Sequence, residues 1–302
     1  MELETRHLRY FLVLAEELHF RKAAERLCIA QPPLSQQIQQ LEQRLGFRLF
    51  ERTQRRVELT QAGSVFYEEV RDTFARLDRA VALARRTALG EVGRLAIGFV
   101  GTASYEVLPL VLREFRKRYP EVELQLRELV SAKQVEALRE KRIQVGFARP
   151  PIFAFDIQCE VFVREPLFAA LPESHRLSGR GSLSLVELAE EPFVLFPRFP
   201  KPCYAEEVLQ ACQEVGFLPN VVQETTEIHT ALGLVAAGMG VTLVPACVRH
   251  QQREGMAFVA LSEPSPVSTL SLISLKGNTS PALKAFLAVC REHNEDTFLG
   301  ST

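Results

Sequence analysis

The sequence predicts an α/β protein in three parts: a small helical module ending in a β-hairpin, one long helix, and a larger domain of two α/β lobes. Three observations support this prediction. Short amphipathic helices precede a basic hairpin within residues 1–60, residues 61–89 contain no proline, and apolar strands alternate with helices from residue 91 onward. A chain of 302 residues is also long for a single hydrophobic core, which favours several domains.

Composition and motifs limit the class of protein. With 47% apolar and 24% charged residues, no apolar run of 18 residues and no signal-peptide pattern, we expect a cytoplasmic protein without membrane contact. The six cysteines show no CxxC motif and no cluster with histidine, which predicts reduced thiols and no metal site. Because GxSxG, HExxH and P-loop motifs are absent, we expect no catalytic residues, no enzyme activity and no cofactor.

Charge is unevenly distributed along the chain, although the net charge is only −1. Residues 1–60 hold ten Lys and Arg against eight Asp and Glu, whereas residues 91–302 hold 21 against 25. Five arginines lie within residues 44–56, with Glu51 as the only acidic residue there. A short basic patch on a neutral-to-acidic body predicts that the first module faces a polyanion.

The first module has a helix-turn-helix pattern. Residues 6–18 and 20–27 have helical periods, and Pro32 and Pro33 open a third helix, where proline needs no N–H partner. The apolar residues of this helix form one stripe, at Leu34, Ile38, Leu41 and Leu45. The opposite face is polar but uncharged, at Ser35, Gln36, Gln37, Gln39 and Gln40. Residues 48–60 predict two short strands around a basic tip, so the module is predicted to be a winged helix-turn-helix.

Residues 61–89 predict one long helix whose apolar residues nearly follow a heptad repeat. A helix that stands between domains cannot bury such a stripe within one chain. We therefore expect a dimerisation seam at Phe66, Val70, Leu77 and Val81. The alternative is that the helix packs on the domain that follows it.

The alternation of strands and helices in residues 91–302 predicts parallel sheets with crossover helices. There are too many strands for one small sheet, and residues 150–166 resemble a crossover. Two lobes with a cleft between them are the simplest arrangement. Lobe I would comprise about residues 91–161 and 268–302, and lobe II about 162–267.

Residues 8–63, LRYFLVLAEELHFRKAAERLCIAQPPLSQQIQQLEQRLGFRLFERTQRRVELTQAG, resemble the winged helix-turn-helix of the LysR-type transcriptional regulators. The resemblance continues in the segments IGFVGTASYEVLP, LFPRFPKP and ALGLVAAGMGVTLVPA. Their sequences are most similar to the branch that includes the muconate-responsive regulators of aromatic catabolism. The resemblance implies a DNA-binding domain at 1–60, a linker helix at 61–90, and a periplasmic-binding-protein-like effector domain at 91–302. It also implies a homotetramer built from dimers, with operator DNA, a small inducer and RNA polymerase as partners. We expect an activator, and a repressor is the alternative that the sequence leaves open.

The resemblance assigns a groove-facing set to the third helix, on double-stranded operator DNA: Gln31, Pro32, Pro33, Ser35 and Gln36. Glutamine can bond adenine through two hydrogen bonds, and proline rings can contact thymine methyl groups. Many relatives carry arginine where this chain has Gln36, which should weaken guanine or minor-groove contact there. The wing residues that would hold phosphate or reach the minor groove are Arg52, Thr53, Arg55 and Arg56. For these arginines the alternative is a solvated surface.

Thr102 and Ser131 each follow a predicted strand of lobe I and each begin a predicted helix, where hydroxyl and N–H groups can bind a carboxylate. The two positions match the inducer-binding Ser/Thr pair of the muconate-responsive branch. We expect them to offer several donors and no competing acceptor to a small organic anion; the alternative is that both are N-cap residues. Phe199 and Tyr204 would form the wall of the cleft on lobe II, and His229 would contribute to it or lie on the surface.

A thiol-based redox sensor is the alternative function for the same fold. Cys203 and Cys212 lie where peroxide-sensing relatives hold their reactive pair, and a helix N-terminus at Cys203 would lower its thiol pKa. Pro202, however, stands where those sensors have histidine. A separation of nine residues on one helix, about 13 Å of rise, also prevents a disulfide unless the helix unwinds.

Overall fold

The structure is a computed structural model that describes residues 3–53, 56–250, 254–262 and 264–297, with side chains described as far as residue 293. The chain divides into two compact units, residues 1–85 and 86–302. Within the described ranges, no helix is both long enough and apolar enough to cross a membrane.

The first unit is a winged helix-turn-helix, as the sequence predicts. Its elements are α1 (Thr5–Glu17), α2 (Phe20–Arg26), α3 (Gln31–Leu45), β1 (Phe50–Arg52) and β2 (Val57–Leu59), followed by the start of α4 (Gln61–Ala88). Strands β1 and β2 pair in antiparallel fashion, and Gly46 ends α3 in the left-handed conformation that favours glycine. The core is formed by fully buried side chains: Phe11, Leu14, Leu34, Ile38, Leu41 and Leu49. Three residues of the predicted stripe are among them, and the fourth, Leu45, is partly buried and packs against this core.

Helix α4 uses its apolar stripe in two ways, which corrects the prediction of one continuous dimer seam. The ring of Phe66 lies 5.0 Å from the ring of Phe11 and packs on the core of the first unit, and Val70 is only 5% exposed in the single chain. Leu77 and Val81, by contrast, are 51% and 61% exposed. The reason for the difference is that the first turns of α4 complete the small helical core, whereas Leu77 and Val81 lie beyond that core.

The second unit contains the remaining strands and helices. In chain order they are β3 (Val92–Phe99), α5 (Val107–Arg118), β4 (Glu121–Glu128), α6 (Ser131–Arg139), β5 (Val145–Ala148), β6 (Ile157–Pro172), β7 (Ser182–Leu183), β8 (Pro192–Leu195), α7 (Tyr204–Glu214), β9 (Asn220–Glu224), α8 (Ile228–Ala236), β10 (Thr242–Pro245), β11 (Met256–Leu261), β12 (Val267–Leu275) and α9 (Pro281–Thr297). Separate hydrophobic cores surround Phe115, Phe147 and Phe286 in one lobe and Phe193, Leu195 and Val244 in the other. Two cores leave room for a cleft between the lobes.

The sheets are mixed rather than purely parallel, which corrects the sequence prediction. Strands β3, β4 and β5 are parallel neighbours, as are β8 and β9. Strand β6, however, pairs in antiparallel fashion with β12 along residues 157–166 and with β10 and β11 along residues 167–172. The predicted crossover at 150–166 is therefore largely a strand. One continuous 16-residue strand carries the chain from the sheet of lobe I into the sheet of lobe II.

Candidate functional site

A cleft of about 390 Å³ lies between the two lobes of the second unit. This volume is in the range of small-molecule binding sites. Lobe I contributes the segments that follow the carboxyl ends of β3, β4 and β5, and lobe II contributes the segments before α7 and α8. Three neighbouring parallel strands thus direct their ends at one cavity, which is where open α/β sheets bind ligands.

Arg149, which follows β5, joins the two predicted hydroxyl residues at the inner end of the cleft. Its Nη2 donates a hydrogen bond of 2.9 Å to Oγ1 of Thr102, and its backbone N–H donates one of 2.9 Å to Oγ of Ser131. All three residues are buried, and all three line the cleft. Because each hydroxyl oxygen accepts from Arg149, each hydroxyl hydrogen is left to donate to a ligand.

The local structure around the two hydroxyls differs from the prediction at one of them. Ser131 is the first residue of α6, as predicted. Thr102 lies in a short 3-10 turn, Gly101–Ser104, and α5 begins only at Val107. The N-cap residues of the turn and of α6 are Val100 and Val130, so the alternative reading of the hydroxyl residues as N-caps is wrong.

The positive charge of the Arg149 guanidinium is compensated by groups inside the protein. It lies 3.4 Å from Oε1 of Glu165, donates to the hydroxyl of Ser268, and stacks over the ring of Tyr204 with 5.3 Å to the ring centre. Arg149 is only 4% exposed, so these partners offset much of the cost of removing its charge from water.

Acceptors are present as well as donors, which corrects the expectation of a cleft without competing acceptors. The carboxylates of Glu128 and Glu227 both line the cleft, and both residues are exposed. In the interior, Glu207 of α7 accepts a hydrogen bond from Ser268. The cleft therefore offers hydroxyl donors and one guanidinium at its inner end, with acidic groups nearby.

On the lobe II side, Phe199 and Tyr204 both line the cleft, as the sequence predicts. The Tyr204 hydroxyl donates to the backbone oxygen of Leu243 at 3.3 Å, and burial raises its pKa well above the usual range. His229 does not line the cavity, whereas the preceding Ile228 does. The Nδ1 atom of His229 instead lies 3.0 Å from the hydroxyl of Tyr105, a residue of lobe I.

In the first unit, the groove-facing set is accessible along one face of α3. Gln31, Pro32, Pro33 and Gln36 are exposed, and Ser35 is half-buried. The N-terminal end of the polar face predicted from the sequence is therefore accessible, and helix-turn-helix proteins contact base edges with this end of the helix.

The wing residues differ from one another in their surroundings. Arg52 forms an ion pair of 2.9 Å with Glu42 and lies over the ring of Phe20, so its charge is engaged within the module. Arg56 is 77% exposed and lies 3.0 Å from Glu58. Thr53 is exposed as well. Arg55 lies outside the described residues.

Comparison with known proteins identifies the family. The model for the "LysR substrate binding domain" matches residues 88–295, and the model for the "Bacterial regulatory helix-turn-helix protein, lysR family" matches residues 5–64. The chain belongs to the LysR family of transcriptional regulators. It is a DNA-binding regulator with an effector-binding domain, and the resemblance seen in the sequence is confirmed.

Two relatives match nearly the whole of this LysR-family chain, and a third matches its effector-binding domain. The HTH-type transcriptional regulator CatR of Pseudomonas putida is 43% identical over 293 residues, which are 97% of this chain and 100% of CatR. Full-length CbnR in complex with its target DNA is similar in structure, with a TM-score of 0.85 and 32% identity over 97% of this chain and 100% of CbnR. The effector-binding domain of BenM with its effector benzoate has a TM-score of 0.60 and 30% identity, over 66% of this chain and 91% of that domain.

The thiols of Cys203 and Cys212 in this LysR-family protein have raised pKa values, whereas reactive thiols have lowered ones. Cys203 is the N-cap of α7, yet burial raises its thiol pKa where the sequence suggested a lowered value. Burial also raises the pKa of Cys212 to about 12. Among the described residues, no group of three or more His, Cys, Asp or Glu side chains could hold a metal ion.

Two residues that shape the cleft were not predicted from the sequence. Arg149 follows β5 just as Thr102 and Ser131 follow β3 and β4, so the rule of strand ends applied to the third strand would have found it. Gln134 of α6 is fully buried, and its Nε2 donates to the backbone oxygens of Leu129 at 2.8 Å and of Phe147 at 2.9 Å. These carbonyls lie two residues before Ser131 and Arg149, so Gln134 holds both segments in place.

Proposed function

We propose that this LysR-family regulator is switched by a small organic anion that binds in the interlobe cleft and changes operator binding or transcription activation. The observation that supports this proposal is the convergence of Thr102, Ser131 and Arg149 at the inner end of the cleft. Two hydroxyl donors beside a buried guanidinium suit the carboxylate of a ligand, because charge-assisted hydrogen bonds are the strong ones.

The rest of the cleft supports an apolar or aromatic body for this acid. Besides Phe199 and Tyr204, the lobe II side is formed by apolar residues that include Phe196, Pro197, Pro200, Pro202 and Ile228. Aromatic and proline rings bury a flat hydrocarbon surface without offering hydrogen bonds. The structure of the BenM domain with benzoate is an example of such an acid in a related domain.

We further propose that α3 enters the major groove of the operator with Gln31, Pro32, Pro33, Ser35 and Gln36, while Thr53 and Arg56 of the wing contact the DNA backbone or the minor groove. The accessible polar face of α3 supports this assignment. Arg52 is a weaker candidate for DNA contact because Glu42 already pairs with it. Arg55 stays a prediction from the sequence.

Assembly into dimers, and then into a tetramer, is part of the same proposal. Leu77 and Val81 are exposed on α4 of the single chain and would be covered by a second copy. A two-fold assembly suits operators with two half-sites. In this proposal the regulator acts in the cytoplasm, and an activating form would contact RNA polymerase.

A thermal-shift screen of the full chain against a panel of aromatic and aliphatic acids, with and without reductant, tests this function. Ligand binding to the folded state raises the melting temperature by mass action. We expect at least one acid to stabilise the protein, and we expect Thr102→Val to remove that effect. A protein that ignores every acid but changes with peroxide and reductant would support the redox alternative instead.

A further inference from the structure

Beside the inner end of the cleft, two half-buried carboxyl groups, Glu165 and Glu207, lie around the buried guanidinium of Arg149. Arg149 contacts Glu165 of β6 directly. On its other side, Arg149 donates to the hydroxyl of Ser268 on β12, which donates in turn to Glu207 of α7. The buried Ser268 hydroxyl thus connects Arg149 of lobe I to Glu207 of lobe II. The same guanidinium contacts Glu165 directly and Glu207 through this hydroxyl.

The two carboxyl groups have different surroundings. Glu165 accepts a hydrogen bond of 2.8 Å from the backbone N–H of Cys247 and contacts the guanidinium directly. Glu207 accepts a hydrogen bond from Ser268, and its burial raises the carboxyl pKa. The charge of Arg149 opposes this rise, whereas the charge of Glu165 adds to it. Glu207 is linked to the guanidinium through Ser268, and its raised pKa favours the uptake of a proton by this group.

A ligand carboxylate beside Thr102 would be a third carboxyl group near the same guanidinium. Three negative charges around one positive charge are unfavourable in a buried site unless one carboxyl group is neutralised. We propose that binding of a carboxylate in this cleft is coupled to the uptake of one proton from solvent by Glu207. This inference rests on the function proposed above and adds to it a dependence on pH.

The proton balance, and the direction in which affinity changes with pH, follow from the groups around Glu207. An ionised ligand and an ionised Glu207 combine with one proton, which becomes bound to the Glu207 carboxyl group while no other bond is made or broken. The groups that face Glu207 are Arg149 at the end of β5, Glu165 on β6, Ser268 on β12 and Tyr204 on its own helix α7. The ligand carboxylate offsets the positive charge of Arg149, which in the free protein lowers the pKa of Glu207. The pKa of Glu207 is therefore higher in the complex than in the free protein. Affinity therefore increases as pH falls through the interval between these two pKa values.

Titration calorimetry of the full chain with benzoate, in buffers of different ionisation enthalpy between about pH 5 and pH 9, measures this coupling. We expect the wild type to take up as much as about one proton per benzoate at some pH in this range, with affinity rising by up to about tenfold per pH unit there. Glu207→Gln should bind with little uptake and a nearly constant affinity. Glu214→Gln, on the exposed end of the same helix, is the matched control and should behave like the wild type.

Infrared difference spectra of the wild-type protein give a second readout that does not require a stable variant. We expect a protonated carboxyl band to appear when benzoate binds within the pH interval in which calorimetry shows proton uptake. Binding without proton uptake at any pH, or equal uptake by Glu207→Gln and the wild type, would overturn this inference alone. A protein that binds no benzoate at all would contradict the proposed function for this acid, and the proton coupling with it.

Discussion

Nη2 of Arg149 donates a hydrogen bond of 2.9 Å to Oγ1 of Thr102, although the two residues are 47 positions apart in the chain. They meet because β3 and β5 are parallel neighbours whose carboxyl ends lie at the same edge of the sheet. The contact fixes the position of a hydroxyl group beside a buried positive charge. The proposed carboxylate site rests on this contact.

Thr102→Val and Ser131→Ala should each weaken the binding of an inducing acid by about tenfold or more, because each removes a hydrogen bond to a charged group worth roughly 1.5–3 kcal/mol. Operator binding without inducer should be unchanged. Ser104→Ala, on an exposed position in the same turn as Thr102, is the control. Calorimetry and gel retardation check the two halves of this prediction, and normal affinity in both variants would rule out the hydroxyl pair.

Gln31→Ala should relax the sequence preference of operator binding, since Gln31 is exposed at the start of α3. Arg56→Ala should weaken binding to all sequences alike and reduce the salt dependence by about one unit, as expected for one phosphate contact. Competition binding against variant operators at several salt concentrations separates these effects. Equal losses on all sequences for Gln31→Ala would mean that this side chain does not read a base.

Leu77→Asp and Val70→Asp place the same charge on the two parts of the α4 stripe. Leu77→Asp should leave the folding stability of one chain within about 0.5 kcal/mol and dissociate the oligomer, because Leu77 is exposed in the single chain. Val70→Asp should lower the free energy of unfolding by about 3 kcal/mol or more, since Val70 is buried. Sedimentation and urea denaturation test this contrast. An unchanged oligomer for Leu77→Asp would place the chain-to-chain contact elsewhere.

Cys203 should react slowly with an alkylating agent at neutral pH. Its thiol pKa is raised chiefly by burial, so the thiolate fraction near pH 7 is smaller than in a free cysteine and grows only as the pH approaches the raised value. Alkylation rates measured by mass spectrometry from pH 6 to pH 10 test this, with the exposed Cys28 as an internal reference. Faster reaction of Cys203 than of Cys28 at pH 7 would revive the redox alternative.

Local patterns predicted the first unit well because its structure depends on short-range spacing. The stripe at Leu34, Ile38 and Leu41 is fully buried, and the two prolines lie in the first turn of α3. The stripe of α4 was partly misjudged. Periodicity shows which residues share a face, whereas the contact between Phe66 and Phe11 depends on where the helix begins to leave the core.

The second unit shows what spacing along the chain cannot reveal. The first half of β6 resembled a crossover because its pairing with β12 joins segments more than 100 residues apart. The link from Arg149 through Ser268 to Glu207 likewise brings together β5, β12 and α7. Thr102 and Ser131 could be predicted because each follows a strand. The positive charge of Arg149 beside them depends on tertiary contacts, and it was not predicted.

A crystal structure of the full chain with the acid that gives the largest thermal shift tests the central claim most directly. We predict one molecule of this acid in the interlobe cleft, with carboxylate oxygens within hydrogen-bonding distance of the hydroxyls of Thr102 and Ser131, and its apolar body against Phe199 and Tyr204. An acid bound elsewhere, with the hydroxyls still facing an empty cleft, would contradict the assignment of this cleft as the inducer site.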